Sequence, residues 1–500
     1  MIGAYVSWID INLITNDSVM SNLFSLFTSE LFRAAVTDCF NAILRKGMDP
    51  FAKTAIIENF ISIDFIKVTL REVFVQPTTT EDSLEFVSKF AQLINTIGTE
   101  LIEAYRKVKG KTGSSSSASA ASTSAVTSNG SEVQALSVIS AAIEGKFSLL
   151  CQCLAHAELA VAQRVHSFAR DYIQWIKKES EKDGGALCEN NNSQSGELLN
   201  EKTAILLSII IEKSKYPLAV SELLLLSSSD LSNEPHGGSE TTELFEEFRK
   251  STKVLFDNLL LLNPATTVAF VCDKIVAPTL LNWKTRSLPF ADIEVALYYF
   301  YLLGENINQI GGGGGGGGGG SGPLNNGNID AKQLESLVQL LVSSSISAYP
   351  NPVTQAFYFD LVFRYSSLLN SSLSYLSSAI LISFLDERGL RNSNRRIRSK
   401  VARLFNKFIK SYIRANKGQE KPTTATAFTE DILKRLQDFL KLEATYDTAE
   451  YLAELGLVEQ LGHSSYLVSA EAAERNGFPW ALSLADQLAV YETVTFLIIG

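Results

Sequence analysis

The sequence predicts an all-α protein, an α-solenoid in which antiparallel helical hairpins stack side by side. Apolar residues recur at three- and four-residue steps over segments of about 12 to 20 residues, which is the period of one helix face. Short turns separate these segments, and almost no stretch alternates apolar and polar residues as a half-buried strand does. Because a single hairpin buries its apolar face only against neighbouring hairpins, the pattern favours a stack of repeats.

The predicted helices follow this periodicity along the whole chain. Gly47 comes directly after the helix that ends at Lys46, and Pro50 precedes the next helix, as is typical of helix ends and starts. The predicted segments are 31–46, 54–65, 84–108, 133–154, 159–178, 201–213, 218–226, 243–262, 266–281, 290–306, 334–347, 353–369, 373–386, 432–442 and 486–499, together with a basic helix treated below.

Two low-complexity segments divide these helices. Residues 113–132 are rich in Ser and Ala, and residues 310–328 include an unbroken run of glycines from 311 to 320. Neither composition buries enough apolar surface to order itself, so we expect both to be linkers. The predicted order is helical repeats over 1–112, 133–309 and 329–442, the last with the basic helix, followed over 443–500 by a variable loop and the start of a further repeat.

Composition narrows the class of protein. A chain of 500 residues with 46% hydrophobic content buries more than one compact core. Five cysteines without paired spacing indicate a reducing compartment rather than a disulfide framework. The N-terminus lacks the pattern of a signal peptide, and the longest uninterrupted apolar runs fall short of the roughly 20 residues that span a bilayer, so we expect no membrane insertion.

The segment 388–417 differs from the rest of the chain in its charge. It contains eleven Lys or Arg residues and no Asp or Glu, although the chain as a whole carries a net charge of −10. Its apolar residues keep helical spacing, which predicts one buried face. These residues are Ile397, Val401, Leu404, Phe405, Phe408, Ile409, Tyr412 and Ile413.

The opposite face of this predicted helix is cationic. Seven residues step by four and three alternately and form a positive stripe about 30 Å long: Arg396, Lys400, Arg403, Lys407, Lys410, Arg414 and Lys417. Upstream, Gly389 is expected to end the preceding helix in the left-handed conformation, and Ser393 or Asn394 to cap the basic helix. The two helices then form one hairpin.

The stripe is open to three interpretations. It can meet RNA phosphates, because Lys and Arg neutralise backbone charge without reading sequence. It can bind an acidic protein partner, as a protein-binding solenoid or scaffold does. It can also be only a solvated helix face, which most runs of charge are. The overall acidity of the chain favours a local role for this stripe over general nucleic-acid binding.

No catalytic or metal site is predicted elsewhere. Cys151, Cys153 and His156 lie within one helical segment, where Cys151 and Cys153 point about 200° apart, unlike the ligands of a structural zinc site. The glycine run lacks the Lys-Ser/Thr that a phosphate-binding loop requires, and the four histidines form no catalytic constellation. We therefore expect a protein that is not an enzyme and uses no cofactor.

One local signature refines the repeat type. Residues 397–404, IRSKVARL, resemble the start of the second helix of HEAT repeats, so the hairpins are expected to be HEAT-like. Arg398 falls on the apolar arc of this helix rather than on the stripe. We expect Arg398 to be a structural arginine that bonds within or between repeats, and not a ligand contact.

Seven blocks, in order and spread over nearly the whole chain, resemble the exportin-T family of tRNA nuclear export receptors, in the karyopherin-β superfamily. They are GAYVSWIDINLI (3–14), KGMDP (46–50), NW (282–283), EVA (294–296), FLDERGLRNSNRRIRSKVARLFNKFIKS (384–411), DILKRLQDFL (431–440) and DQLAVYET (486–493). The Ser-rich, Asn-rich and polyglycine segments between them depart from the family as insertions in loops.

The resemblance implies a right-handed superhelix of HEAT repeats that wraps tRNA and binds Ran-GTP cooperatively. It implies transport of tRNA from nucleus to cytoplasm, with nucleoporins as further partners. It also implies that this chain is a fragment without the N-terminal Ran-binding arch and the C-terminal region of the family. We therefore expect Ran-GTP as a partner of the full-length protein and assign no residue of this chain to it.

Overall fold

Helices account for the regular structure of the described chain, as the apolar periodicity predicts, and those residues contain no strand. The computed structural model describes residues 6, 8–62, 64–75, 80–115, 125–180, 194–217, 240–311, 331–370, 372–415, 423–440, 482 and 484–499. The predicted helix 218–226, most of the polyglycine segment and the variable stretch 441–481 lie outside these residues. The all-α solenoid of helical hairpins is confirmed for the part of the chain that the structure describes.

The α-helices are numbered here in chain order. They are α1 Ile11–Ile14, α2 Asp17–Phe27, α3 Glu30–Arg45, α4 Pro50–Ser62, α5 Asp64–Glu72, α6 Glu81–Ser115, α7 Ala125–Glu144, α8 Phe147–Ala155, α9 Leu159–Arg164, α10 His166–Ser180, α11 Gln194–Lys213, α12 Glu240–Leu262, α13 Pro264–Ala269, α14 Ala277–Asn282, α15 Phe290–Gly311, α16 Ala331–Ser343, α17 Pro352–Arg364, α18 Ser366–Asn370, α19 Ser377–Leu385, α20 Arg395–Ala415, α21 Thr423–Leu436 and α22 Leu484–Ile499. A π-helical segment, Phe270–Val276, joins α13 to α14, and short 3-10 turns cover Ile346–Ala348, Ser374–Leu376 and Gln437–Leu440.

The chain divides into two compact units. The first comprises Met1–Ser214 and Gly237–Thr267, and the second comprises Lys215–His236 and Val268–Gly500. In the first unit α6 is central and packs against α3, α4, α7, α9 and α10. Gly98 of α6 lies against the buried ring of Phe168 in α10, where any Cβ would overlap the ring. The missing side chain therefore allows α6 and α10 to pack closely.

Nearly buried lysines tie the helices of the first unit together. Lys53 of α4 pairs with Glu100 of α6, and Lys146 Nζ lies 2.8 Å from Glu58 Oε1 on α4. Lys202 of α11 pairs with Glu144 at the end of α7. A charge can leave water only when it is paired, so each contact fixes the distance between two neighbouring helices.

In the second unit the basic helix, α20, is packed between other helices. α15 packs on α17, α17 on α20, and α20 on both α18 and α22. Phe384 of α19 lies at the centre of an aromatic cluster, with ring centroids 4.9 Å from Phe359, 5.3 Å from Phe405 and 5.5 Å from Phe408. All four rings are buried. This cluster holds the apolar face of α20 against the preceding hairpin.

The ends of two helices differ from the sequence prediction. α6 continues to Ser115 and α7 begins at Ala125, so helix enters both ends of the expected linker 113–132. α15 ends at Gly311, the first residue of the glycine run.

Two described stretches, Gln134–Ala155 and Pro264–Asn282, are long and apolar enough to cross a membrane. This result rests on length and composition alone, and 39% of each apolar window is buried inside the fold. The core helix of a soluble protein passes the same test. The expectation of no membrane insertion, which rested on uninterrupted apolar runs, therefore stays a prediction.

Candidate nucleic-acid interface

The turn before α20 is built around a close backbone approach. Leu390 N donates to Phe384 O at 2.7 Å, and Asp386 forms an ion pair with Arg388, with Nη2 and Oδ2 2.6 Å apart. A Cβ at Gly389 would overlap the carbonyl group of Phe384. The φ angle of Gly389 lies outside the left-handed region, so the predicted left-handed helix end is wrong. Glycine is required here because the backbone passes too close for any side chain.

α20 begins at a capped end and buries one face. Asn394 Oδ1 accepts from Arg396 N at 2.9 Å and from Ile397 N at 3.4 Å, so Asn394 rather than Ser393 caps the helix. No Gly or Pro interrupts the helix up to Ala415. Its buried apolar residues are Ile397, Val401, Ala402, Leu404, Phe405, Phe408 and Ile409.

Arg398 turns back toward the loop that precedes its own helix. The side chain is 5% exposed, and Nη1 donates to Asn392 O at 2.8 Å and to Ser393 O at 2.9 Å. Asn392 in turn donates to Gln355 Oε1 at 3.2 Å on α17. This geometry suits the structural arginine that the sequence suggests, and we propose that role for it.

We expect Arg398→Leu to lower the free energy of unfolding of the second unit by about 1–2 kcal/mol. The substitution removes two charge-assisted hydrogen bonds and leaves the carbonyl oxygens of Asn392, which is buried, and Ser393 without this donor. The loss is measured by chemical denaturation, with hydrogen exchange of α17 to α20 as the probe of unfolding. Arg414→Leu, at an exposed position of the same helix, is the control. Equal stability of the two variants would contradict the structural role.

The stripe separates into two rows of residues seven apart. Arg396, Arg403 and Lys410 form one row, and Lys400, Lys407 and Arg414 form the other. Seven residues make nearly two helical turns, so each row runs almost parallel to the axis. Contacts with the neighbouring helices show that the two rows have different surroundings.

The first row lies along α22. Arg403 Nε is 3.0 Å from Asp486 Oδ1, a carboxylate that is only 2% exposed. Lys410 Nζ is 2.6 Å from Glu492 Oε1. Between these pairs, Asn406 donates to Ala489 O at 3.0 Å and to Thr493 Oγ1 at 3.1 Å. α22 therefore neutralises two of the predicted stripe residues.

The second row lies along α17. Lys400 forms an ion pair with Asp360, and Lys407 Nζ lies 5.8 Å from the centre of the Phe363 ring. Burial raises the pKa of the Asp360 carboxyl, and the hydrogen bond from Lys400 opposes that rise. A partly buried carboxylate of this kind is stabilised as an anion by its neighbouring cation. We therefore expect Lys400 to stay paired with Asp360 rather than to bind a ligand.

Three of the predicted stripe residues remain open. Arg396, Lys407 and Arg414 are exposed, and no carboxylate of the described residues lies within ion-pair distance of them. Lys417 lies outside the described residues. Cations of this kind can meet a phosphate without first giving up an ion pair. The open part of the stripe is thus smaller than the sequence suggests.

The sequence interpretation missed Asp360, Asp486 and Glu492. These acids lie 40 to 83 residues away from their partners along the chain. A partial signal was present, because Asp486 and Glu492 both lie in the predicted helix 486–499. Pairing that helix with the basic one would have required the order in which the hairpins stack.

The cysteine–histidine cluster has a structural environment. His156 caps α8, and its Nδ1 accepts from Glu158 N at 3.1 Å. Burial raises the pKa of Cys151 to about 12, which keeps the thiol protonated and a poor metal ligand. Among the described residues, no group of three or more His, Cys, Asp or Glu side chains is placed to hold a metal ion.

Comparison with known proteins identifies the family. The model of the exportin-T family matches residues 139–459. The whole chain is 28% identical to the exportin-T proteins of Danio rerio and Homo sapiens, and 82% of it aligns at 23% identity with that of Dictyostelium discoideum. The chain spans 41% of the length of the two vertebrate relatives and 38% of the Dictyostelium one. Since the family model matches more than half of the chain, the chain belongs to the exportin-T family.

Proposed function

We propose that this chain is part of a tRNA nuclear export receptor, and that Arg396, Lys407 and Arg414 of α20 bind the phosphates of its tRNA. The observation that carries the proposal is a set of three exposed cations on α20, without a carboxylate at ion-pair distance among the described residues, in a member of the exportin-T family. Lys400, Arg403 and Lys410, the other stripe cations among the described residues, are paired with carboxylates of neighbouring helices.

Phosphate binding suits a receptor that accepts many tRNAs. A-form RNA hides its base edges in a deep, narrow groove, so proteins recognise it largely by shape and backbone. Lysine and arginine contacts to phosphate release counterions and do not depend on sequence. A rigid helix with exposed cations about two to three turns apart therefore follows the path of a backbone rather than reading its bases.

Membership of the family supports the further parts of the proposal. The full-length protein binds Ran-GTP together with tRNA, contacts nucleoporins, and shuttles between nucleus and cytoplasm. Transport of this kind breaks no covalent bond in the cargo, so the protein acts as a receptor rather than an enzyme and needs no cofactor.

A second candidate function has one observation in its favour. Two acidic residues of α22 already bind the stripe, which demonstrates that a helix bearing carboxylates fits against α20. An acidic helix of another protein could use the open cations in the same way. The second candidate is therefore a solenoid that binds an acidic protein.

The salt dependence of tRNA binding tests the proposal. If three cations meet phosphates, the logarithm of the association constant falls against the logarithm of salt concentration with a slope of about −2 to −3. Participation of all seven stripe residues would give a slope of roughly −5 to −6. Fluorescence anisotropy with labelled tRNA over a salt series measures the slope. Absence of binding at low salt would contradict the proposal.

Binding of a polyanion of matched charge distinguishes between the two candidate functions. Polyglutamate carries carboxylates at a density comparable to RNA phosphates but lacks the A-form backbone. Tighter binding of folded tRNA than of polyglutamate, at equal charge and salt, favours the RNA receptor. The reverse order, together with partners recovered from extract after RNase treatment, favours the acidic protein.

A further inference from the structure

Lys410 is held by α22 on two sides. Its ammonium group lies 2.6 Å from Glu492 Oε1 and 4.8 Å from the centre of the Phe496 ring. The lysine side chain is only 24% exposed, whereas the Glu492 side chain is 51% exposed. The pair thus lies at the rim of the open cations, where both solvent and a polyanion can reach the carboxylate.

We propose that Glu492 sets the affinity of this surface by competing with RNA phosphate for Lys410. The inference rests on the proposed function, since it concerns the same surface. In the free protein the Glu492 carboxylate occupies Lys410. When RNA binds, a phosphate either displaces that carboxylate or approaches against its charge, and each alternative weakens the complex. Glu492 therefore acts as a built-in competitor.

Glu492 is better suited to this role than the other acids that face the stripe. Asp486 is almost fully buried beside Arg403, and Asp360 is about one-fifth exposed beside Lys400. Separating a buried carboxylate from its cation is costly, so these two pairs remain closed. An exposed ion pair contributes little to stability, so phosphate can compete with Glu492 at small cost.

A single isosteric substitution tests the inference. We expect Glu492→Gln to tighten tRNA binding by about two- to fivefold at low salt, a range that corresponds to the strength of one exposed ion pair. The salt slope should steepen by roughly 0.7–0.9 as Lys410 gains a phosphate contact. The control is Glu81→Gln, an exposed glutamate of α6 in the first unit, which changes the net charge equally.

A double-mutant cycle tests whether Glu492→Gln changes the affinity for tRNA through Lys410. In the background of Lys410→Gln, Glu492→Gln should change the affinity no more than Glu81→Gln does, because the contested cation is gone. An undiminished gain in that background would show a general charge effect and overturn the inference. Equal affinities of Glu492→Gln and Glu81→Gln in the wild-type background would overturn it as well.

The proposed function fails by a different result. If wild-type protein does not bind tRNA with a salt-dependent affinity, the function is wrong and the Glu492 variants have nothing to modify. If wild-type protein binds tRNA as expected and Glu492→Gln behaves like its control, only the competitor role is wrong.

Discussion

Replacement of Arg396, Lys407 and Arg414 by glutamine is expected to weaken tRNA binding roughly ten- to a hundredfold at about 50 mM salt. Each open cation releases counterions when it meets a phosphate, so the salt slope should become shallower by about 2. Glutamine keeps the length and helix propensity of the side chains, and none of the three residues contributes an ion pair within the described chain. Anisotropy titrations at several salt concentrations measure both effects.

A triple variant in the first unit provides the matched control. Arg45, Arg71 and Lys178 are exposed, form no ion pair within the described residues, and repeat the composition of two arginines and one lysine. Their replacement by glutamine lowers the net charge by the same amount. If the control variant loses as much affinity as the stripe variant, binding depends on overall charge and α20 is not the contact surface.

The choice of these three residues follows from the ion pairs. Neutralising Arg403 or Lys400 would remove a cation from beside Asp486 or Asp360, both of which are at least partly buried. The fold would then weaken together with the surface, and a lower affinity would have two explanations. The open cations allow binding to change while the structure stays intact.

Gly389→Ala is expected to destabilise the second unit by about 2–3 kcal/mol, at the upper end of the cost of overpacking a close contact. The new Cβ would overlap the carbonyl group of Phe384, and backbone atoms cannot move aside as a flexible side chain can. The turn that orients α20 must then shift. Hydrogen exchange over α19 and α20 measures the loss of protection, which is more informative than one melting temperature for a chain of two units.

Gly47→Ala is the control for this substitution. Gly47 also follows a helix, but no atom lies within 4 Å of the position that its Cβ would take. We expect a change within about 0.5 kcal/mol, because loss of unfolded-state entropy is then the main effect. Normal protection of α20 in Gly389→Ala would show that the turn tolerates a side chain and that the close approach is not essential.

The local part of the candidate site was predictable from the sequence. Helical spacing alone predicts the buried face of α20 as far as Ile409, beyond which Tyr412 and Ile413 are only half-buried, and Asn394 was one of two named caps. Arg398 lies on the apolar arc of the helix rather than on the stripe, which already indicated that its surroundings differ from those of the stripe cations. These features depend on residues a few positions apart, over which helix geometry is fixed.

The charge of the site was not predictable in the same way. Three stripe residues pair with acids on α17 and α22, and the separation along the chain is 40 residues for Lys400 and 82–83 for the other two. The segment 388–417 itself contains eleven cations and no acid. The surface around α20, however, also includes acids from other helices, which the local sequence does not reveal. The role of Gly389 was missed for a related reason, since a close backbone contact and a left-handed helix end both select glycine.

The contacts between α20 and α22 bear on how such a protein tolerates insertions. Asn406 fixes the register of the two helices through the backbone of Ala489 and the hydroxyl of Thr493, and the two flanking ion pairs follow from that register. All of these contacts join helix faces, and none involves the connecting segment 441–481. A change in the length of that segment would therefore leave these particular contacts between α20 and α22 in place.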